Sequence, residues 1–594
     1  MAFAALVPPA TAMDFELGND TRLRVNGAMT FGTVIRAEAW DPAVIGVLSS
    51  ARVGAPFGQL AGNAGGSNLN FQKGHPVSTV AKGLVSVEVQ RQSVGLFLRA
   101  KGWYDEELER GNRPYGNAPN GFTQNVPLSD SGFDANARFT NVVVDEANIF
   151  GKFDLGGARA LELRLGRQAV HWGVAQLMRG LNTINPADLP AMLRPGALPE
   201  EGQLPVGMGY ARLALNGETS VEAWIPYEFR PTVLPGCGTF YSSNILAAPG
   251  CNYVSVLGTA GVNDPVALST GQFPKRRPDQ MAKKSGQFGL SATQRINSIG
   301  AQIHAYVARQ HSLLPSVRVI NPDINGGYGN LSPNPTRLTD PNGLNWAMTF
   351  PENIDIFGLA GSVDIDSTTQ IHAELGYRPN QPLNLNTSDV IAAFLRRTPS
   401  SALNLAKGTN AIPPAGIFDA YDRYKVTSLI VGAHRTFKNV AGAQGVTLLA
   451  ELGWSHVSGL PDPGRLRYGR SDDYGLAQVT SGTPCVDTTA AQKNCAVDGF
   501  VTANAWGYRV RAAAVYPGSF FGAIIKPSIT FTHNVKGYSH DTTLSQGRIV
   551  LETALRAEWE KQYFTGAAYS NNHGGRYNSA INRNVVSIFA GMRF

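Results

Sequence analysis

Chemistry at a protein site needs a nucleophile, a base, a metal-ligand cluster or a phosphate cradle at workable spacing. The ten histidines supply candidate bases, among them His171, His304, His372, His434, His456, His533 and His573. Ser455 and His456 are adjacent, but neighbours on an extended chain face opposite ways, so they cannot pair locally as nucleophile and base. G-x-S-x-G, H-E-x-x-H, the P-loop and the dinucleotide-binding fingerprint do not occur. No catalytic, cofactor-binding or metal-ligating residue is assigned, and an enzyme is not expected. The histidines read as polar wall or interfacial positions.

The four cysteines form two local pairs, Cys237 with Cys251 and Cys485 with Cys495, each in a Gly/Pro/Ser/Asn-rich stretch. Four cysteines allow three connectivities, and local pairing closes the shortest loops. A metal site would need tighter C-x-x-C spacing or nearby histidine. Disulfides persist in oxidising compartments, so the pairs point to export. Residues 1–12 agree: a small apolar run, then Pro8-Pro9 and Ala10-Thr11-Ala12, an A-x-A cleavage pattern without the usual basic front. We read 1–12 as a truncated signal peptide and 13–594 as one domain.

What could position charged side chains is a strand, and period-2 alternation dominates the chain. In residues 22–36, Leu23, Val25, Met29, Phe31 and Ile35 share one face, and Arg22, Arg24, Asn26, Thr30 and Arg36 the other. Leu161, Leu163 and Leu165 alternate with Glu162 and Arg164; Ile371, Ala373, Leu375 and Tyr377 with His372, Glu374 and Arg378; Leu448, Ala450 and Leu452 with Thr447 and Glu451. Charged residues are only 16% of the chain, against about 25% in average soluble proteins. No apolar run is long enough for a membrane helix.

Tight turns alternate with long Gly/Pro/Asn/Ser-rich segments. Short turns fall near Gln90–Ser93, Gly156-Gly157, Asn216-Gly217, Arg295–Ser298, Asp366–Thr368, Lys438–Gly445, Pro517-Gly518 and Glu560–Gln562. About 18 strands, about eight short turns and about nine long loops result. Strict alternation puts every short turn at one end, every long loop at the other, and both termini on the short-turn side. The expected fold is all-β: a closed antiparallel transmembrane β-barrel with long extracellular loops, closed because lipid leaves no partner for an unpaired backbone group. No segment ahead of the first strand is long enough for an N-terminal plug domain. Aromatics near strand ends, including Trp40, Trp103, Tyr104, Phe153, Tyr227, Phe229, Trp454 and Tyr563, would form an interfacial girdle.

Short helices are expected within loops. Asn185-Pro186-Ala187-Asp188 places a capping residue before Pro, with a stop ahead of Pro195; Thr387-Ser388-Asp389 precedes VIAAFL. Segments 181–199 and 378–398 are expected to fold into or over the mouth. At the chain's end, Val586, Ile588, Ala590, Met592 and Phe594 share one face of NVVSIFAGMRF. Met592 and the terminal Phe594 look like the signal read by barrel-assembly machinery.

Several stretches together resemble one family, the outer-membrane barrels of domain-of-unknown-function family 1302. They are AMDFELGNDTRLRVNGAMTFGT at 12–33, LRLGRQAVHWG at 163–173, LNTINPADL at 181–189, LPGCGTF at 234–240, ELGYRPNQPLNLNTSDVIAAFL at 374–395, HNVKGYS at 533–539 and YSNNHGGRYNSAINRNVVSIFAGMRF at 569–594. The basic signal n-region of such proteins is missing here. The resemblance implies a protein of the outer membrane of a Gram-negative bacterium, with a periplasmic lipoprotein-like partner and an RND-type inner-membrane transporter. It implies traffic of hydrophobic or lipid-like molecules, and it carries over no catalytic residues.

The polar strand faces would line the lumen. Arg22, Arg24, Arg99, Lys101, Arg164, Arg378, Arg509, Arg511 and Arg556 are its basic candidates, with Glu162 and Glu374 among the acidic ones. They either brace the wall by pairing across it or create a field for anionic amphiphiles. The net charge of +7 does not point to nucleic acid, since the longest basic run is Lys275-Arg276-Arg277. The expectation is a channel or docking port for hydrophobic or amphipathic small molecules. A general diffusion porin is the second reading; an outer-membrane hydrolase or structural surface protein is the third.

Overall fold

A computed structural model describes residues 13–18, 20–60, 62–242, 246–252, 261–271, 273–321, 345–394, 401–408, 411–413, 416–475, 477, 487, 489, 491, 493 and 495–594. The predicted signal segment, 1–12, lies outside them.

Eighteen antiparallel strands close into a barrel. In chain order they are β1 (Thr21–Arg36), β2 (Pro76–Arg91), β3 (Val94–Asp105), β4 (Thr140–Gly156), β5 (Arg159–Gln168), β6 (Val206–Ala214), β7 (Thr219–Pro226), β8 (Phe288–Ile296) and β9 (Ala301–Gln310). The second half comprises β10 (Ile354–Asp366), β11 (Thr369–Asn384), β12 (Tyr421–Val440), β13 (Ala443–Ser458), β14 (Asn504–Phe520), β15 (Ala523–Lys536), β16 (Arg548–Trp559), β17 (Tyr563–Gly574) and β18 (Val585–Arg593). Each strand pairs with the next, and β18 returns to β1 in a register running from Ala28 opposite Arg593 to Arg36 opposite Val585. Closure leaves the ring without an edge, which is what a lipid environment demands of a sheet.

The alternation read from sequence sorts the two faces. Met29, Phe31, Leu163, Leu165, Leu359, Ile371, Leu375, Leu452 and Ile588 are exposed on the outside. Thr30, Lys101, His372, Glu374 and Glu451 are buried inside. Among the described residues, no helix is long and apolar enough to cross a membrane, which says nothing against crossing by strands.

The short turns sit where expected except one. Pro517-Gly518 is not the β14–β15 turn: β14 continues through an irregularity after Tyr516, and the chain reverses at Phe521-Gly522. Pro and Gly mark a bulge as readily as a turn, because both remove regular ladder contacts. The girdle expectation also needs correction. Trp103 points inward, 5% exposed, and donates to the Arg138 carbonyl; Trp40 stacks on Phe57 in the long-loop cap. Phe153, Tyr227 and Tyr563 are exposed on the barrel.

The long loops form a cap. It holds a small sheet of Lys275–Arg276, Ser316–Asn321, Asn345–Thr349 and Gly416–Asp419. One apolar cluster gathers Trp346, Leu383, Val390, Leu403 and Tyr468; another gathers Phe71, Phe133, Phe139 and Phe240 around a Cys237–Cys251 disulfide with Cα atoms 5.2 Å apart. Cys495 is disulfide-bonded, while Cys485, its predicted partner, lies outside the described residues. The expected helix is present as Thr387–Phe394, but Thr387-Ser388-Asp389 form its first turn instead of preceding it, and the capping residue is Asn386, whose Oδ1 accepts from the Asp389 amide at 3.1 Å. The helix belongs to the cap. Residues 378–384, expected to fold inward, extend the barrel wall as the end of β11.

Candidate functional site

The segment between β5 and β6 turns into the barrel. It begins on the wall of β7 and β9, where the Trp172 ring packs 5.8 Å from Trp224 and 5.1 Å from Tyr306, and Trp172 Nε1 donates to Glu222 at 3.1 Å. Leu181 and Ile184 extend this contact into an apolar cluster with Ile354 and Ile356 of β10.

Two wall carboxylates then hold the backbone. Glu374 on β11 accepts from the amides of Val174 at 2.7 Å, Ala175 at 3.2 Å and Leu181. Glu451 on β13 accepts from Gln176 at 2.6 Å, Leu177 at 2.9 Å and Met178 at 2.7 Å. His372 Nε2 lies 2.9 Å from the same Glu451 carboxylate, and Arg509 donates to the Leu177 carbonyl. Consecutive backbone amides make a concave donor set that suits a fixed anion, and hydrogen bonds to an ionised acceptor are among the stronger ones. The inner wall is smooth where the loop lies. A Cβ on Gly453 would sit 2.5 Å from Met178, and one on Gly358 2.5 Å from Leu181.

The segment continues to the far wall. The short helix Leu189–Leu193 is capped by Asp188, whose Oδ1 accepts from Ala191 at 3.0 Å. This corrects the expectation that Asn185 is the cap. Asn185 instead braces the loop's own neck, exchanging two hydrogen bonds with Val170. Lys101 on β3 fixes Asp188 at 2.8 Å and reaches Asp145 at 3.4 Å, all three side chains no more than 1% exposed. Lys82 on β2 pairs with Glu201 at 2.5 Å. The Arg194 guanidinium lies 3.9 Å over the Trp103 ring, and burial lowers its pKa against the pull of Asp188. Strands β2 and β3 lie across the ring from β11 and β13, so residues 172–201 span the lumen and are fastened at both sides.

The remaining lumen candidates divide by position. Arg22 and Arg24 stand at the short-turn rim, the first exposed and the second half-buried, paired with Asp14 at 2.7 and 3.0 Å. Arg99 pairs with Glu146 at 2.9 Å, and Arg164 with Glu162 at 2.5 Å. Arg556 pairs with Glu558 at 2.8 Å and lies 4.4 Å over Phe564. Arg511 and Arg509 stand on β14, on the inward face shared with Glu451. Arg378 lines a cavity between loop and wall. Met592 is exposed outward, and Phe594 exchanges backbone hydrogen bonds of 3.0 and 2.7 Å with Gly27 while its ring covers that glycine.

Sequence reading placed Glu374 and Arg509 on the inward face and 181–199 inside. It did not pair Glu451 or Lys101 with the loop, since those partners come together only when the ring closes. Ser455 and His456 face opposite sides, as the alternation required: His456 stacks on Trp454, and Ser455 points inward.

A closed barrel with a loop clamped across its lumen defines the class, an occluded β-barrel. The chain belongs to the family described as "Protein of unknown function (DUF1302)", whose profile matches residues 1–594. No curated protein matches it. Among solved structures, Acinetobacter baumannii OccAB2 is 10% identical with a TM-score of 0.40, covering 96% of this chain and 97% of that one. Pseudomonas aeruginosa OccK9 (OpdG) is 9% identical with a TM-score of 0.37, covering 96% and 97%. The outer membrane channel DcaP of Acinetobacter baumannii is 7% identical with a TM-score of 0.36, covering 98% and 99%.

Proposed function

We propose that the protein is a channel or docking port in the outer membrane of a Gram-negative bacterium, taking small hydrophobic or amphipathic molecules past an internal loop. The observation that carries this reading is the segment 172–201, clamped by Glu374 and Glu451 on one side and by Lys101 and Lys82 on the other. A pore crossed by such a loop admits solutes that fit beside it. The outward apolar faces and the sorting of long loops to one end support a membrane-spanning barrel. The reading makes the chain a conduit, with no catalytic role. It extends to a periplasmic lipoprotein-like partner and an RND-type transporter at the short-turn rim, and to assembly machinery that recognises the strand ending in Phe594.

Purified protein in planar bilayers tests it. Small, low-conductance openings are expected, and Glu374→Ala combined with Glu451→Ala should widen them. A large, steady conductance that ignores both substitutions would support the general diffusion porin instead. A deletion strain with unchanged uptake of every aromatic and lipid-like solute would remove the proposed cargo class.

A further inference from the structure

One group of polar atoms inside the barrel takes no part in clamping the loop. A cavity of about 160 Å³ lies between the loop at Met178–Gly180, the inward faces of β9–β13 and the β15–β16 connection. Arg378 borders it, 9% exposed, and among the described residues its guanidinium has neither an ion pair nor a hydrogen bond; Asp541 and Arg179 line the same cavity. Ser455 Oγ and His540 Nδ1 belong to residues that border the same cavity, and both atoms are buried without a hydrogen-bond partner among the described residues. Arg179, exposed at the loop's tip, brings a second guanidinium to it.

Of the two nearby carboxylates, Glu374 is committed to the loop, while Asp541 lines the cavity itself. Glu374 is filled by three backbone amides. Asp541 accepts from Ser539 at 2.6 Å and from the Thr543 amide and hydroxyl at 3.2 and 2.8 Å, all on Oδ1, so one acidic neighbour offsets part of the charge of the two guanidiniums. Arg378 opens onto the cavity without a protein acceptor among the described residues, and it converges there with two buried polar atoms that lack a partner. The rest of the lining is mixed: Ile354, Ile356, Ile430 and Leu544 supply an apolar part, and Thr183, Gln310 and Ser428 a polar one.

We propose that this cavity binds a small organic carboxylate, with Arg378 and Arg179 receiving the headgroup, Ser455 and His540 completing its hydrogen bonds, and the isoleucines enclosing an apolar body. The guanidinium fork matches a carboxylate in two parallel bonds. A cavity of about 150 Å³ holds benzene, so the enclosed body is on the scale of one aryl ring or a short alkyl chain. The site deepens the channel reading by naming its ligand class, and binding is measurable apart from permeation.

Isothermal titration of the full chain in detergent at low chloride tests the site, with benzoate, benzyl alcohol and inorganic phosphate as probes. Benzoate is expected to bind at least about tenfold more tightly than benzyl alcohol, the scale of a hydrogen bond to a charged group. Phosphate should bind more weakly than benzoate, having nothing for the apolar wall. Arg378→Gln should weaken benzoate about tenfold or more and leave benzyl alcohol unchanged. Arg179→Gln, on an exposed loop position, carries the test if the Arg378 variant loses the heat-modifiable mobility of a folded barrel. Equal affinities for benzoate and benzyl alcohol would overturn the proposal, as would folded variants at Arg378 and Arg179 with undiminished benzoate binding. Phosphate binding at least as tightly as benzoate would overturn the carboxylate assignment. Benzoate binding in a protein that shows no conductance would leave the site standing and sink the channel.

Discussion

Glu451 is the acceptor that gathers one end of the lumen loop. It meets three consecutive amides and a histidine ring while 2% exposed. Glu451→Ala leaves those amides without their acceptor, at about 1–3 kcal/mol each where water cannot replace it. Hydrogen exchange at residues 174–181 should rise by about tenfold or more, with β-sheet protection unchanged; unchanged exchange in the loop would refute the clamp. His540, in the connection 537–547, is a second residue-scale case. Burial holds its pKa below the ordinary 6.5, with Asp541 raising it and Arg378 and Arg179 lowering it. Its folded-state pKa lies below the unfolded one, so its neutral form's contribution is intact above 6.5 and is lost as pH falls from there toward the folded value. Protection of the amides in 537–547, corrected for the intrinsic slowing of exchange in acid, should therefore fall between pH 7 and pH values below 6.5, and His540→Gln should flatten that response. Asp541, also lowered despite burial through His540, Ser539 and Thr543, loses its contribution only as pH falls below its ordinary 3.8, a separate window. The alternation placed Glu374, Arg378 and Glu451 on the inward face, but their different fates were not legible. Glu451 meets amides far away in sequence, and Arg378 has no hydrogen-bond or ion-pair partner among the described residues.

The elements divide in the same way. Strands were legible because the side-chain period of two is local and two-faced. The loop's passage through the lumen was legible only as helix punctuation at 185–195, and the cap fell to Asp188 instead of Asn185. Both residue types can cap; the choice is made by Lys101 and Asn136, which hold the Asp188 carboxylate at 2.8 and 2.7 Å. The course of the loop depends on bare backbone in the wall beneath it. Gly453→Val would push Met178 out of its seat, because the added side chain begins 2.5 Å from Met178. We expect a folded, heat-modifiable barrel whose conductance in bilayers exceeds that of the native protein. A Gly453→Val barrel with native conductance would mean that the segment does not limit the pore.

At the scale of the whole molecule, charge is distributed unevenly around the wall. On β14–β18 the inward Arg509, Arg511, Lys526, Arg548, Arg556 and Arg593 outnumber the inward acids beside them, Glu552 and Glu558 on the same strands and Glu451 opposite Arg509 on β13. Fixed charge of one sign in a low-dielectric passage raises the local concentration of counter-ions. Bilayers under a salt gradient should give a reversal potential of anion selectivity, and Arg509→Gln with Arg511→Gln and Arg548→Gln should move it toward zero. A cation-selective native protein would refute this.

The seam between β18 and β1 joins residues 28–36 to 585–593, almost the length of the polypeptide apart. Closing so long a span carries an entropic cost that grows only slowly with length, but the contacts that reward it arrive together and last. Beyond that seam the strand Met13–Glu16 folds back along residues 22–25, beside the point where Phe594 meets Gly27. The hoop is thus finished like a belt, the tail drawn to the buckle and a short tongue laid down next to it. A polypeptide stopped before its final strand would hold seventeen staves and no hoop, so shortening at this end should act as a switch, with no graded series of weaker barrels in between.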